Sequence, residues 1–337
     1  MEKYINSLPL ILVVLVLAVG FTLLVKGADY FVEGSSSVAK RFNVPSLIIG
    51  LTIVAMGTSL PETAVSVTAS LIGNNTLAIS NVTGSNIFNL MVVIGVCACM
   101  APVHVQRDTV IQDIPFSVFC AFLMLTLGYV TWGGDASMSI GRFGGIVMLC
   151  FFAAYMVVLI RRALKTQNEG IDTALEAEAE MQVMEDVKIL PMGQSIIYIL
   201  CGAAAIAFGG DITVDAASKI AIELGMSQTL VGLTIVSIGT SLPELVTSIV
   251  AARKDEVDMA LGNAIGSNIF NILMVIGIAS VISPIDLITE NLVDIGVLVA
   301  FSFVVWLFSA TKHRLSRGEG IVMILMYLGY AAYIIIR

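Results

Sequence analysis

The chain has 337 residues, of which 58% are hydrophobic and only 12% are charged. Soluble globular domains carry about 25% charged residues, so this composition excludes an ordinary soluble domain and predicts an integral membrane protein. Its formal net charge of −8 gives no reason to expect a nucleic-acid partner, and the lipid bilayer is the expected surrounding.

Ten apolar runs are each long enough, at about 20 residues, to cross a bilayer as a helix. In chain order they cover residues 8–38, 44–71, 76–101, 110–131, 140–163, 192–221, 227–252, 258–283, 291–310 and 319–336. The first run has no Ala-x-Ala cleavage pattern after it, so it is interpreted as a retained helix and not as a signal peptide. The sequence therefore predicts an all-α polytopic membrane protein with ten transmembrane helices.

Basic residues are distributed unevenly between the two sets of loops that ten spans would create. The set that includes Lys40, Arg41 and Arg253 holds twelve lysines and arginines, and the other set holds four. The positive-inside rule then predicts that both termini lie outside the cytosol and that the connector at 166–190 lies in it. This connector is acidic and is interpreted as a solvated, partly helical segment, because it lacks the spacing of an EF-hand.

The first half of the chain returns 182 positions later without a gap. Residues 50–62 read GLTIVAMGTSLPE and residues 232–244 read GLTIVSIGTSLPE, while GSNIFN occurs at 84–89 and again at 266–271. Each half holds five apolar runs, and an odd number makes the second copy enter the membrane from the opposite side. We therefore expect two inverted five-helix repeats, at 1–165 and 191–337, joined by the connector.

The repeated motif contains a helix breaker in the middle of an apolar run. Pro61 lacks an N–H group and clashes with the carbonyl group of Gly57, so the helix is expected to kink or break just before the proline. Broken helices leave backbone carbonyl oxygens without intrahelical donors, and the C-terminal end of a half-helix carries partial negative charge. Such a break favours a bound cation.

Oxygen-bearing side chains accompany the break in both copies. Thr58, Ser59 and Glu62 are spaced to share one helical face, and Ser85 and Asn89 are spaced to share another. The equivalent residues of the second copy are Thr240, Ser241, Glu244, Ser267 and Asn271. Hydroxyl, amide and carboxylate oxygens suit Ca²⁺ and, in smaller subsets, Na⁺.

The glutamates weigh against a purely structural motif. An ionised carboxylate at the bilayer centre costs about 2.5–3.5 kcal/mol or more, and no lysine or arginine lies in the core of either motif-bearing run. Glu62 and Glu244 therefore need a cation or protons. Two further acidic pairs, Asp29 with Asp211 and Glu33 with Asp215, are placed toward the cytosolic ends of the first and sixth runs, in structural pairing or at an entrance.

The doubled GTSLPE and GSNIFN motifs resemble the α-repeats of the cation/calcium exchanger superfamily, particularly its sodium/calcium-exchanger-like members from bacteria and archaea. The resemblance implies an antiporter of a prokaryotic inner membrane that works by alternating access, functions as a monomer and has no catalytic residues or cofactor. It also implies a cation site formed by Thr58, Ser59, Glu62, Ser85, Asn89, Thr240, Ser241, Glu244, Ser267 and Asn271, with backbone carbonyl groups of Ala55 and Ser237.

One position departs from that resemblance. Well-studied sodium-coupled members carry an aspartate where Asn271 stands, which leaves Na⁺ and H⁺ open as alternative coupling ions for Ca²⁺. Selectivity among divalent cations also stays open. A cation channel is the second hypothesis, although channels gather their selectivity residues around an oligomeric axis. An intramembrane hydrolase with Ser59 or Ser241 as nucleophile is disfavoured because neither serine has a histidine or lysine as base.

Overall fold

The computed structural model describes residues 5, 8–129, 138–177, 189–226 and 237–336. Helices dominate this described part. They are α1 Leu10–Arg41, α2 Ser46–Thr58, α3 Leu60–Leu71, α4 Asn75–Met100, α5 Thr109–Tyr129, α6 Arg142–Ala177, α7 Met192–Glu223, α8 Ser237–Gly239, α9 Leu242–Arg253, α10 Val257–Ile282, α11 Thr289–Lys312 and α12 Arg317–Ile336. Four two-residue strands are β1 Val103–His104, β2 Ser139–Ile140, β3 Ile285–Asp286 and β4 Arg314–Leu315.

Within the described residues, eight helices are long and apolar enough to cross a membrane, and the bent pair α2 and α3 forms a ninth span if it is counted as one. The prediction of a helical membrane protein is therefore confirmed. The seventh predicted run, 227–252, falls partly outside the described residues, which include only α8 and α9 from it. Helix α6 continues to Ala177 and so includes the first part of the predicted connector, whereas residues 178–188 lie outside the described part.

Helices α1 and α7 pack closely through glycines whose contacts occur in equivalent pairs. A Cβ atom on Gly20 would lie 2.9 Å from Oγ1 of Thr213, and one on Gly202 would lie 2.7 Å from the backbone nitrogen of Phe31. Gly202 stands 182 positions after Gly20, as Thr213 does after Phe31, so the two contacts are copies of each other. Small residues allow such close approach of membrane helices.

The direction of packing corrects one expectation. Further along α1, a Cβ atom on Gly34 would lie 2.8 Å from the carbonyl oxygen of Ser195 near the start of α7. The two helices therefore run antiparallel. The expectation that Asp29 and Asp211, and likewise Glu33 and Asp215, lie toward the same cytosolic side is wrong. Equivalent positions of two antiparallel helices lie at opposite ends.

The remaining helices pack in the same paired way. Strand β1 pairs with β4, and β3, which follows β1 by 182 positions, pairs with β2. Gly95 in α4 contacts Gly320 in α12, and the equivalent Gly277 in α10 contacts Gly145 in α6. Nothing in the sequence analysis predicted the strands, since two-residue strands have no readable alternation.

Helices α4 and α10 form the centre of the molecule and are its most buried spans. They meet through a reciprocal pair of hydrogen bonds: Nδ2 of Asn86 donates to the carbonyl oxygen of Asn268 at 3.1 Å, and Nδ2 of Asn268 donates to that of Asn86 at 3.0 Å. Just beyond this contact both helices widen into π-helical turns, at Asn89–Val93 and Asn271–Ile276. Such turns occur frequently at functional sites.

Candidate cation site

The first motif breaks its helix where the proline predicts. Helix α2 ends at Thr58, Ser59 adopts φ −84° and ψ 11°, and α3 starts at Leu60 with a bend of 50° between the two helices. The second motif repeats the arrangement, with Ser241 at φ −93° and ψ 3° before α9. Pro61 occupies the first turn of α3, where a helix needs no N–H donor.

The breaks place the two glutamates in the first turns of new helices. Glu62 lies in the first turn of α3 and Glu244 in the first turn of α9. The N-terminal end of a helix carries partial positive charge and stabilises a carboxylate. Both side chains are completely buried.

Each carboxylate is held by the opposite half of the chain as well as by its own. The hydroxyl group of Ser59 donates to Oε1 of Glu244 at 2.9 Å, and that of Ser241 lies 3.5 Å from Oε1 of Glu62. Ser85 reaches the same atom of Glu62 at 3.5 Å. These bonds bring the two motifs together in one cluster.

The bond from Ser59 differs from the sequence expectation, which put Ser59 and Glu62 on one helical face. The helix is interrupted at Ser59, so the regular spacing of side chains does not continue across it, and the hydroxyl group turns toward Glu244. Thr58 likewise donates away from Glu62, to Oδ1 of Asn263 at 3.1 Å. Both side chains join the two halves instead of sharing a face with Glu62.

Several polar side-chain atoms in this cluster are buried without a hydrogen-bond partner among the described residues. They are Oε2 of Glu62, Oε2 of Glu244, Oδ1 of Asn271 and both side-chain atoms of the Asn89 amide. In the described part of the chain, no lysine or arginine forms an ion pair with either glutamate. Buried polar groups without partners are costly, so the arrangement fits a cation or protons as the missing partner.

The donor set is mixed and is not a cluster of strong metal ligands. Among the described residues, no three His, Cys, Asp or Glu side chains come together as a metal centre would require. Ser267 adds its hydroxyl group, 3.4 Å from Oε1 of Glu244, and Thr240 lies 3.5 Å from Ser85. Two carboxylates with hydroxyl and amide oxygens suit a hard cation that is bound reversibly.

Two asparagines that the sequence analysis did not assign to the site hold the glutamate backbone. Nδ2 of Asn81 donates to Oγ of Ser66 at 3.0 Å and lies 3.4 Å from the carbonyl oxygen of Glu62. Asn263 makes the equivalent contacts to Ser248 and Glu244, at 2.9 and 3.3 Å. The signal was present, since Asn81 and Asn263 are themselves 182 positions apart.

The expected amide ligands differ between the halves. Nδ2 of Asn271 donates to Oδ1 of Asn86 at 3.1 Å, whereas the amide of Asn89 makes no hydrogen bond within the described residues. Asn86, like Asn268, was not among the predicted site residues, although both belong to the GSNIFN motifs.

The structure describes the surroundings of only one of the two predicted backbone ligands, Ala55 and Ser237. The carbonyl oxygen of Ala55 is not freed by the helix break, because the N–H group of Ser59 donates to it at 3.1 Å and the hydroxyl group of Ser267 lies 3.4 Å away. The last turn of α2 therefore keeps its hydrogen bond at Ala55, and the assignment of this oxygen as a cation ligand stays a prediction. Ser237 is described only as the start of α8, and the residues before it, 227–236, lie outside the described part.

Comparison with known proteins gives extensive matches. The profile described as "Sodium/calcium exchanger protein" matches residues 12–161 and 194–336. The putative antiporter CaxA of Alkalimonas amylolytica is 37% identical, over 93% of this chain and 95% of its own length. The sodium/calcium exchanger MaX1 of Methanosarcina acetivorans is 31% identical, over 94% of this chain and 96% of its own length.

The fold of this chain also matches a solved structure. The sodium-calcium exchanger NCX_Mj, in crystals soaked with 2.5 mM Na⁺ and 10 mM Sr²⁺, aligns with a TM-score of 0.78 at 30% sequence identity. The alignment covers 96% of this chain and 99% of that one. The helical arrangement is thus shared along nearly the whole chain.

Proposed function

The chain belongs to the sodium/calcium exchanger protein family, and from that premise we propose that it is a secondary active antiporter that exchanges Ca²⁺ for Na⁺ or H⁺. Its relatives are transporters, and the chain is a membrane transporter of cations and not an enzyme. The proposal adds the ions exchanged and the residues that bind them.

One observation carries the proposal: the crossed contacts of Glu62 and Glu244. Each glutamate has one carboxylate oxygen near a serine of the opposite motif and a second oxygen without a donor among the described residues. Two carboxylates match the charge of one divalent cation. Two protons, or several Na⁺ ions, would match it equally.

The proposed site comprises side chains from α2, α3, α4, α9 and α10 and from the two helix breaks. They are Thr58, Ser59, Glu62, Ser85, Asn89, Thr240, Ser241, Glu244, Ser267 and Asn271, with backbone oxygens of Ala55 and Ser237. To carry a cation, the backbone oxygen of Ala55 would have to bind it in addition to the hydrogen bond from Ser59. A carbonyl oxygen has two lone pairs and can do both.

The architecture proposed for the whole chain is ten transmembrane helices in two inverted repeats, 1–165 and 191–337, joined by the connector at 166–190. Equivalent contacts that exchange their partners, as between α1 and α7 and between α4 and α10, support it. In this proposal a pseudo-two-fold axis in the membrane plane relates the two repeats, so the equivalent residues Glu62 and Glu244 lie near the midplane of the bilayer.

This arrangement supports alternating access at one site. With both carboxylates ionised and no cation bound, the buried site would be unfavourable to seal from water. Only the neutralised site crosses readily between the two states, and this requirement couples the movement of one ion to that of the other. Because one chain supplies both halves of the site, the proposed unit of function is the monomer.

The proposal includes two candidate coupling ions, Na⁺ and H⁺. Asn89 and Asn271 add amide oxygens and no third negative charge. Two charges suffice for Ca²⁺ or for two protons, so exchange with H⁺ is proposed alongside exchange with Na⁺. The relatives are named for sodium and calcium, which favours Na⁺.

The proposed location is a prokaryotic cell membrane, with both termini outside and the connector in the cytosol. The positive-inside distribution of Lys and Arg supports this orientation. Bacterial and archaeal relatives support the location.

Reconstitution into liposomes tests the proposal. Uptake of radiolabelled Ca²⁺ is measured with an outward Na⁺ gradient alone, with an outward H⁺ gradient alone and with neither. Antiport predicts saturable uptake that requires one of the two gradients. Uptake that proceeds equally without any counter-ion gradient, and does not saturate, would establish a channel instead.

A further inference from the structure

The two halves of the molecule repeat in sequence but do not pack identically in this structure. Helix α1 packs along α9, whereas α7, the equivalent of α1, makes only slight contact with α3, the equivalent of α9. Leu60 and Leu71 at the two ends of α3 are more than half exposed. One side of the helix core is therefore covered and the equivalent side is open.

The open side contains a crevice of about 170 Å³. It lies between α7, α3 and the start of α9, and its walls include Asp211, Asp215, Pro61 and Thr240. Thr240 is one of the proposed site residues and is partly exposed. The crevice therefore reaches from the surface to one residue of the proposed cation site, and we call the end of the molecule that holds it the crevice face.

The equivalent space on the other side is closed to solvent. A side chain of the facing helix lies beside each motif, Phe31 beside Gly57 and Val214 beside Gly239, but Val214 is partly exposed. Thr58, the equivalent of Thr240, has no exposed surface, and neither has Val32 in α1. We call this opposite end, where α1 covers α9, the closed face.

Charged groups fasten the closed face. Nζ of Lys254, just after the end of α9, donates to the carbonyl oxygen of Asp29 at 2.9 Å. The same ammonium group lies 3.7 Å from the carboxylate of Asp29 and 4.0 Å from that of Glu33. One side chain of the α9–α10 turn thus spans a full turn of α1.

A second residue of that turn reinforces the contact. The carboxylate of Glu256 accepts hydrogen bonds from Ser36 in α1 and, at 2.6 Å, from Ser46 at the start of α2. Nζ of Lys40 lies 3.2 Å from it. The turn at Lys254 and Glu256 therefore binds α1 and α2 together.

The repeat keeps the acidic residues of α1 in this contact but not the lysine and the glutamate of the turn. Asp29 and Glu33 return as Asp211 and Asp215, which line the crevice. Lys254 and Glu256, however, correspond to Ile72 and Asn74 in the first half. Ile72 is mostly exposed and cannot form an ion pair.

We propose that Lys254 and Glu256 form a latch, present in only one repeat, that holds α1 closed over α9 and so determines which face of the cation site is open. This inference rests on the proposed function for its role in transport. The missing lysine at position 72 leaves the crevice face without such a latch. The pair biases the equilibrium between two access states, and each pairing contributes modestly because the groups are partly exposed.

Cysteine accessibility in nanodiscs tests the latch, because a water-soluble maleimide then reaches both faces. The five native cysteines are replaced by alanine, and one cysteine is introduced at Val65, which lines the crevice, or at Thr247, its buried equivalent. Labelling is expected to be faster at position 65 than at position 247. Lys254→Ile is expected to raise the rate at 247 and to lower the rate at 65, by about two- to fivefold each.

Four further variants separate a latch from a general loss of packing. Ile72→Lys places an ammonium group where it meets Asp211 and Asp215 once α7 closes over α3, so it is expected to shift both rates in the same directions as Lys254→Ile. Lys254→Arg is expected to keep the original rates. The exchange of charges in Lys254→Asp with Asp29→Lys is expected to restore them from the values of Lys254→Asp alone.

The opposed changes at the two positions are the decisive readout. Rates that stay unchanged in Lys254→Ile, or that rise at both positions, would overturn the latch. The labelling needs no ion flux, so the two proposals fail separately. Gradient-driven uptake without a labelling shift would refute the latch alone, and a labelling shift in a chain without exchange would refute antiport alone.

Discussion

The hydroxyl group of Ser59 lies 2.9 Å from Oε1 of Glu244, although 185 positions of sequence separate the two residues. The equivalent pair, Ser241 and Glu62, is 3.5 Å apart. A hydroxyl group that donates to a carboxylate from the other half makes each motif incomplete without its copy. The proposed site is therefore a property of the whole chain and not of either repeat.

Removing the Ser59 hydroxyl group should weaken Ca²⁺ binding. In Ser59→Ala the Glu244 carboxylate loses the donor that orients it, and a hydrogen bond to a charged group contributes enough for a loss of affinity of about tenfold. Competition of Ca²⁺ with radiolabelled Ca²⁺ on purified protein measures the change. Thr63→Ala is the control, because the Thr63 hydroxyl group donates to the Ser59 carbonyl oxygen at 2.8 Å and, among the described residues, to no carboxylate. An equal loss in both variants would contradict the assignment.

A third carboxylate should change how the site responds to Na⁺. Asn271→Asp adds a negative charge beside the amide of Asn86, to which Asn271 now donates at 3.1 Å. More monovalent ions are then needed to neutralise the site, so Ca²⁺ uptake should depend more steeply on the Na⁺ gradient. The Hill coefficient for Na⁺ in liposomes measures this. A coefficient unchanged from that of the unaltered chain would show that position 271 does not contribute to cation binding.

Close packing of α1 against α7 should be sensitive to one added side chain. A Cβ atom on Gly209 would lie 2.6 Å from the backbone nitrogen of Leu24, whereas one on Gly193 would contact nothing within 4 Å. Gly209→Val should therefore reduce the free energy of unfolding by about 1–3 kcal/mol. Thermal unfolding in detergent compares it with the matched Gly193→Val, which should unfold close to the original temperature. Equal losses would argue against the observed packing.

The latch should depend on pH through Glu256, which lies in the turn before α10. Partial burial opposes ionisation of this carboxyl group, but hydrogen bonds from Ser36, Ser46 and Lys40 outweigh it and hold the pKa below its ordinary value. A carboxyl group with a lowered pKa in the folded state contributes stability above its ordinary pKa. That contribution disappears as the pH falls through the lowered pKa.

Thermal unfolding of the unaltered chain and of Glu256→Gln measures this contribution at a series of pH values. The unaltered chain should be the more stable one at neutral pH, and the difference should vanish in acid. Asp255→Asn serves as the control at the neighbouring turn residue, whose φ of 60° asparagine tolerates. A difference between Glu256→Gln and the unaltered chain that persists unchanged into acid would contradict the role of the Glu256 charge.

The sequence predicts much of this site because its signals are local. Pro61 predicts a helix break because it lacks an N–H group and its ring clashes with the preceding turn. The structure has a bend of 50° between α2 and α3 at this point. The offset of 182 positions between Glu62 and Glu244 predicts that the two residues are equivalent. Apolar runs of about 20 residues likewise predict membrane helices without any knowledge of their partners.

Features that depend on the packing of distant segments were not predictable in the same way. The hydrogen bond from Ser59 to Glu244 depends on how the two helix breaks face each other. The spacing of a continuous helix predicts Glu62 as the neighbour of Ser59 instead, which is wrong. The π-helical turns at Asn89 and Asn271 carry no signal in composition. In the sequence, Lys254 is one of several basic residues in loops, and nothing there predicts its contact with Asp29. That contact depends on how α1 lies on α9.

Equilibrium binding of radiolabelled Ca²⁺ to the purified chain tests most directly whether Glu62 and Glu244 share one cation. The unaltered chain should bind one Ca²⁺, and excess Na⁺ or acid should displace it. Glu62→Gln and Glu244→Gln should each lose about 100-fold or more in affinity, because either change leaves a single carboxylate for a divalent ion. Full-affinity binding by either variant, with its folded state verified by thermal unfolding, would contradict the account.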